Sequence, residues 1–227
     1  MNSNKKTGRI AGVLFLLIFI MGVSMYQFLQ SPLFSEDFLT STSSNSNQII
    51  ISVLLGILSG VTSIIIAAIL LPIFKKHSYI LAFIYFALCI LNFVAIAIDN
   101  ISVLSLLELS QEYVKNGTDN LNSFEILGTM FYEKHRWTHY LSLLISSFPV
   151  FVLYYTLFFA KLIPRAISIF GIIAAILMFI EILFSIFGHS ISMNMLLPLG
   201  LVQLFLPLWL IYKGLNSPLK NSSQMTE

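Results

Sequence analysis

The sequence predicts an all-α fold: a polytopic integral membrane protein of about six transmembrane helices, with N-terminus and C-terminus both cytoplasmic. Three observations predict it. Only 10% of the 227 residues are charged while 57% are hydrophobic, and the mean hydropathy is +0.90. A soluble domain carries about a quarter charged residues, and so few charges cannot cover a water-exposed surface. The apolar residues gather into runs of span length, and the basic residues fall on one side of those runs.

The expected spans are about 10–29, 49–74, 79–107, 137–160, 166–187 and 195–212. Lys5, Lys6 and Arg9 precede the first. A basic start before an apolar run also describes a signal peptide, and Gly22 and Ser24 stand at cleavage spacing. The run continues through Met25, Tyr26, Phe28 and Leu29, which is span length, so the segment is expected to stay; cleavage would leave the other spans unchanged. Residues 31–48 form an expected outer loop, and its stretch 41–46, made of Ser, Thr and Asn, has nothing to bury and reads as mobile. The second span closes on Pro72, Lys75, Lys76 and His77. The third continues past Asp99 toward Lys115, where Asn116-Gly117 signals a turn.

Residues 108–136 are the second expected outer loop. Within it Phe124, Leu127, Met130 and Phe131 recur at helical spacing, as in a short helix lying on the membrane. A polar cytoplasmic tail covers 216–227, and residues 1–227 read as a single membrane domain. Barrel strands are not expected, because they alternate over about ten residues whereas these runs are continuously apolar. A helix satisfies its own backbone polar groups in hydrocarbon.

Orientation follows from basic residues. With the N-terminus inside, Lys5, Lys6, Arg9, Lys75, Lys76, Lys161, Arg165, Lys213 and Lys220 are cytoplasmic, nine of the twelve. Lys115, Lys134 and Arg136 are outside. Glu36, Asp37, Glu108, Glu112, Asp119, Glu125 and Glu133 also fall outside, giving that face a negative field that favours cations.

A net charge of +2 excludes a strongly basic nucleic-acid binder. The single cysteine, Cys89, lies in an apolar run and forms neither an internal disulfide nor a cysteine-based metal site. There is no phosphate-binding Gly-rich loop, no H-E-x-x-H and no G-x-S-x-G. Neither a voltage-sensor charge run nor the internal repeat of many transporters is present. Whether the chain is an enzyme is left open.

Ionisable groups inside spans are expensive and therefore functional candidates. Glu181 stands about 21 Å along the fifth span, in the outer third of the bilayer. Asp99 lies near the outer end of the third span, with Asn92 two turns deeper on the same face. His135 and His139 share a helix face at i, i+4 spacing, and His189 follows the fifth span. All five ionisable groups are expected near the outer leaflet. Two histidines and a carboxylate could hold a divalent metal such as zinc, with His135, His139 and His189 the candidate imidazoles. The plain alternatives are an interfacial histidine pair, a protonated packing glutamate and a solvated Asp99. Lys161, Arg165, Trp209 and Tyr212 read as interfacial anchors. Gly56 and Gly60 form a GxxxG motif, expected to pack within the chain, with helix–helix self-association as its other use. Pro149 and Pro207 are expected to kink their spans, and Pro198 to mark an entry turn.

Arg9, Ile10, Ala11 and Gly12 open the first span; His135 precedes the fourth, and Leu162, Ile163, Pro164 and Arg165 close it. The segment 209–214, from Trp209 through Tyr212 and Lys213 to Gly214, closes the last. This layout resembles the membrane family catalogued as domain of unknown function 4386, over about Gly8 to Gly214. The resemblance implies a multi-span, mostly bacterial architecture and supplies no mechanism. The family pattern has a histidine at His135, whereas His139 falls where a small or aromatic residue is expected. That departure weakens a two-histidine metal site and leaves His135 the better single candidate.

Three functions are consistent with these residues. The first is a plasma-membrane protein with an outward-facing polar pocket, lined by Asp99, His135, Glu181 and Asn92, for a small or lipid-like ligand. The second is a metal-dependent intramembrane lipid hydrolase using His135, His139 and His189 or a carboxylate. The third is a proton- or cation-coupled transporter with Glu181 as relay, although the cytoplasmic halves of the spans look dry.

Overall fold

The computed structural model describes residues 3–116, 121–189 and 193–216, and within them the chain is helical with no strands. Helix α1 covers Ser3–Val23 and runs on as a π-helical segment, Ser24–Leu29. A short turn, Ser31–Phe34, leads to α2, Phe38–Ser44. The long helices follow: α3 at Ser46–Phe74, α4 at Tyr79–Asn116, α5 at Leu121–Phe159 and α6 at Arg165–Ile186. A turn at Met193–Leu196 precedes α7, Leu197–Lys213, with Pro198 in its first turn. Five of these helices are long and apolar enough to cross a membrane. The last, α7, has 17 residues. At 1.5 Å per residue it measures about 26 Å, slightly short of a bilayer core of about 30 Å unless the preceding turn is added.

The six long helices form a closed ring. Each packs on the next, α1 on α3, then α4, α5, α6 and α7, and α7 returns to α1. Small residues make these approaches close. Gly56 and Gly60 face Asn100 and Phe93, so the GxxxG motif seats α3 on α4 within one chain. The Asn100 amide also donates to Val53 O at 3.2 Å. Gly171 lies under the ring of Tyr154, where an added Cβ would overlap the ring carbons. Tyr154 is buried and its hydroxyl reaches Val202 O at 3.3 Å, tying α5 to α7. Since the ring is fixed at both ends, Gly171→Ala should cost about 1–3 kcal/mol of stability. Thermal unfolding of the purified protein in detergent checks this, and an unchanged midpoint would contradict the packing.

Both expected outer loops prove more helical than their composition suggests. Among the described residues of 108–136 there is no separate membrane-lying helix: α4 runs to Asn116, and α5 begins at Leu121 and passes unbroken through Phe124, Met130 and Pro149. Asn116 donates to Glu112 O, and the Glu112–Lys115 and Glu133–Arg136 pairs stand at i, i+3 on the exposed surface. The stretch 41–46, expected to be mobile, holds the end of α2 and the start of α3. Its anchor lies just upstream, in Leu33 and Leu39, which pack with Ile49, Val103 and Leu106 into a second, smaller core. Thr42 is fully buried beside it.

The alternating helices sort charge by end. One end of the ring holds the start of α1, the turns at 75–78 and 160–164, and the end of α7. It carries Lys5, Lys6, Arg9, Lys75, Lys76, Lys161, Arg165 and Lys213, and no acidic side chain among the described residues. Burial, and then Lys76 beside it, hold the His77 imidazole below its usual range, so at neutral pH this turn's charge comes from its lysines.

Candidate functional site

At the opposite end, α4 and α5 bring three titratable groups together. Asp99 points from α4 toward α5, where His135 and His139 stand one turn apart. His135 Nδ1 is 3.2 Å from Asp99 Oδ1, and His139 Nδ1 is 3.3 Å from Asp99 Oδ2. The side chains of Asp99 and His135 are 7% and 4% exposed, and that of His139 is 22% exposed. His139 therefore sits on the open side of the cluster. The His135 nitrogen lies beside the carboxylate but off the axis of a hydrogen bond, and it has no other partner.

Hydroxyls complete the cluster. Thr138 Oγ1 is 2.9 Å from Asp99 Oδ1 and also 2.9 Å from His135 O. It has one proton, and the carboxylate is the stronger acceptor. Ser102 Oγ lies 2.7 Å from Thr138 Oγ1, so it can donate in turn and pass polarisation along a Ser102–Thr138–Asp99 chain. The π-helical end of α1 sets Tyr26 against His139, ring centroids 5.1 Å apart and edge-on at 62°. A π segment widens the helix by a residue and redirects side chains, and such segments often occur at functional sites.

The polar face continues inward. Ser142 Oγ donates to His139 O, and Ser146 Oγ reaches Asn92 Oδ1 on α4. Asn92 thus joins the same α4–α5 seam two turns deeper than Asp99.

Glu181 stands apart from this seam. It is buried on α6, which packs on α5 and α7. Phe179, two residues before it, packs on Phe148, so Glu181 lies about 10 Å deeper than His139. Ser185 Oγ is 3.4 Å from Glu181 Oε1, while Oε2 is buried without a partner. No hydrogen bond or ion pair joins Glu181 to Asp99 or His135 among the described residues. His189, exposed just past α6, has its ring 5.8 Å from Phe184. Among the described residues no three His, Cys, Asp or Glu side chains form a metal-ligand group.

Tyr26, Thr138 and Ser102 are the members that sequence reasoning missed. Ser102 lies three residues beyond Asp99, and Thr138 three beyond His135, so helical spacing alone carried a signal for both. Tyr26 carried none, because its direction depends on the π register.

The family model for a domain of unknown function, DUF4386, matches residues 10–214. No curated protein and no solved structure matches the chain.

Proposed function

Given that the chain belongs to the family defined by the domain of unknown function DUF4386, we propose that it is a multi-pass cell-membrane protein that binds a small or lipid-like ligand at an outward-facing site centred on Asp99. All six long helices cross the bilayer in this reading, with both termini cytoplasmic, since the basic end then faces inward. One observation carries the site: a single buried carboxylate gathers two imidazoles and a hydroxyl. Polar groups at such depth are costly, and a bundle that needed only packing would fill the seam with apolar side chains. His139, the most exposed of the three, forms the entrance, while Asn92 and the more distant Glu181 supply polarity further in. The acidic outer segments favour a ligand head that is cationic or donates hydrogen bonds.

Zinc and a small alkylammonium serve as probes. A probe at a hundred times its Kd stabilises the folded state by about 2.7 kcal/mol. Either probe should raise the unfolding midpoint of the wild type and leave Asp99→Asn unmoved. A wild type that responds to neither probe, or an Asp99→Asn variant that responds equally, overturns the reading.

A second reading, proton- or cation-coupled transport, is favoured by the unpartnered Oε2 of buried Glu181. Glu181→Gln would then abolish probe uptake into proteoliposomes while keeping the stabilisation at Asp99. Metal-dependent hydrolysis would be promoted by stoichiometric zinc in the purified wild type that is lost in His135→Ala.

A further inference from the structure

The basic end of the ring carries a feature unrelated to Asp99. Helices α6 and α7 part there to leave a groove of about 600 Å³, lined by Ile167 and Phe170 on one side and Phe205, Leu208, Trp209 and Tyr212 on the other. It opens to the bundle surface, since Phe205, Leu208 and Tyr212 are exposed. Its volume lies within the range of sites that enclose small molecules, and its walls suit hydrocarbon.

Two cations mark one end of this groove. Arg165 immediately precedes the lining residue Ala166, and Lys213 immediately follows Tyr212. Both cations are exposed and lie against aromatic faces, Arg165 at 5.9 Å from the Phe158 ring centre and Lys213 at 4.8 Å from that of Tyr212. An apolar slot whose lining residues Ala166 and Tyr212 are respectively preceded and followed by a cation at the same end matches a molecule with an acyl chain and an anionic head.

We propose that the α6–α7 groove binds one anionic phospholipid. An acyl chain occupies the groove and the phosphate lies between Arg165 and Lys213. The remaining cations of this end, without an acid among the described residues, raise the local concentration of such lipids. Their pull is diffuse, whereas the groove gives Arg165 and Lys213 a fixed partner.

Native mass spectrometry of the full chain in detergent provides the test, with phosphatidylglycerol and phosphatidylcholine of identical acyl chains as probes. The wild type should retain phosphatidylglycerol about tenfold more tightly. Arg165→Gln with Lys213→Gln should erase the preference. Lys75→Gln with Lys76→Gln, an equal charge change at the same end away from the groove, should keep it. Leu208→Trp, which fills the groove from its exposed side, should weaken both lipids and stands as an independent test if the charge variant does not fold. Equal loss of preference in the two double variants would mean a diffuse basic surface and overturn the proposal. So would a wild type without preference, or full binding in Leu208→Trp.

Discussion

His135→Ala should lower the stability of the purified protein by about 2–4 kcal/mol, the cost of a void at a buried ring together with the loss of one polar neighbour of a buried carboxylate. The wild-type carboxylate of Asp99 faces two imidazoles and Thr138. Truncating His135 leaves a void at a buried position and hands the whole carboxylate to His139 and one hydroxyl. Asp99→Asn should cost less, because a neutral amide of the same shape is cheaper to bury than a carboxylate. The two substitutions together should cost less than their sum, since His135→Ala then removes a partner that the amide of the Asp99→Asn variant no longer requires. Chemical unfolding of the four proteins in one detergent measures the coupling. Strict additivity would mean that Asp99 and His135 share a seam without acting as one unit.

Helical character was legible because lipid leaves a strong trace in sequence. A run such as 49–74 has to be apolar on nearly every side, and α3 spans Ser46–Phe74. Polar segments outside such runs left a weaker trace. Residues 41–46 hold no apolar side chain, so the helical order of α2 comes from Leu33 and Leu39 reaching a small core on α4. Composition cannot show that kind of tertiary support. The site divides in the same way. Spacing put His135 and His139 on one face and Asp99 with Asn92 on another, but the register of α4 on α5 decides which side chains meet. That register joins Asp99 to both histidines and Asn92 to Ser146, while α6 carries Glu181 along a different seam. Helical depth alone had set Glu181 beside the others, and its true level depends on how α6 slides along α5.

Gly12→Leu should be the most damaging single change at the other end, because it opens the ring where α7 returns to α1. An added Cβ at Gly12 would stand 2.8 Å from Leu210 Cβ and 2.9 Å from both Ile211 N and Pro207 O. Two of those atoms are backbone, so no rotamer change relieves the clash and the helices must separate. A Cβ at Gly8 would press still closer on Leu215 N, and Gly214, at a φ of 72°, lies with the space for its Cβ 2.7 Å from Lys5 O. Arg9 Nη2 adds a bond to Tyr212 O at 3.3 Å, and Asn216 N donates to Leu162 O at 2.8 Å. Three of the features that carry the family resemblance, at 9–12, 162–165 and 209–214, therefore converge on one structural joint. The remaining feature, His135, stands beside Asp99 at the opposite end. Gly22 and Gly200 have open space around the corresponding position. Gly22→Ala and Gly200→Ala should be neutral or gain up to about 1 kcal/mol from helix propensity. Gly12→Ala should lose stability and Gly12→Leu should fail to give a monodisperse folded protein by size-exclusion chromatography. Wild-type behaviour of Gly12→Leu would mean that α7 does not close on α1.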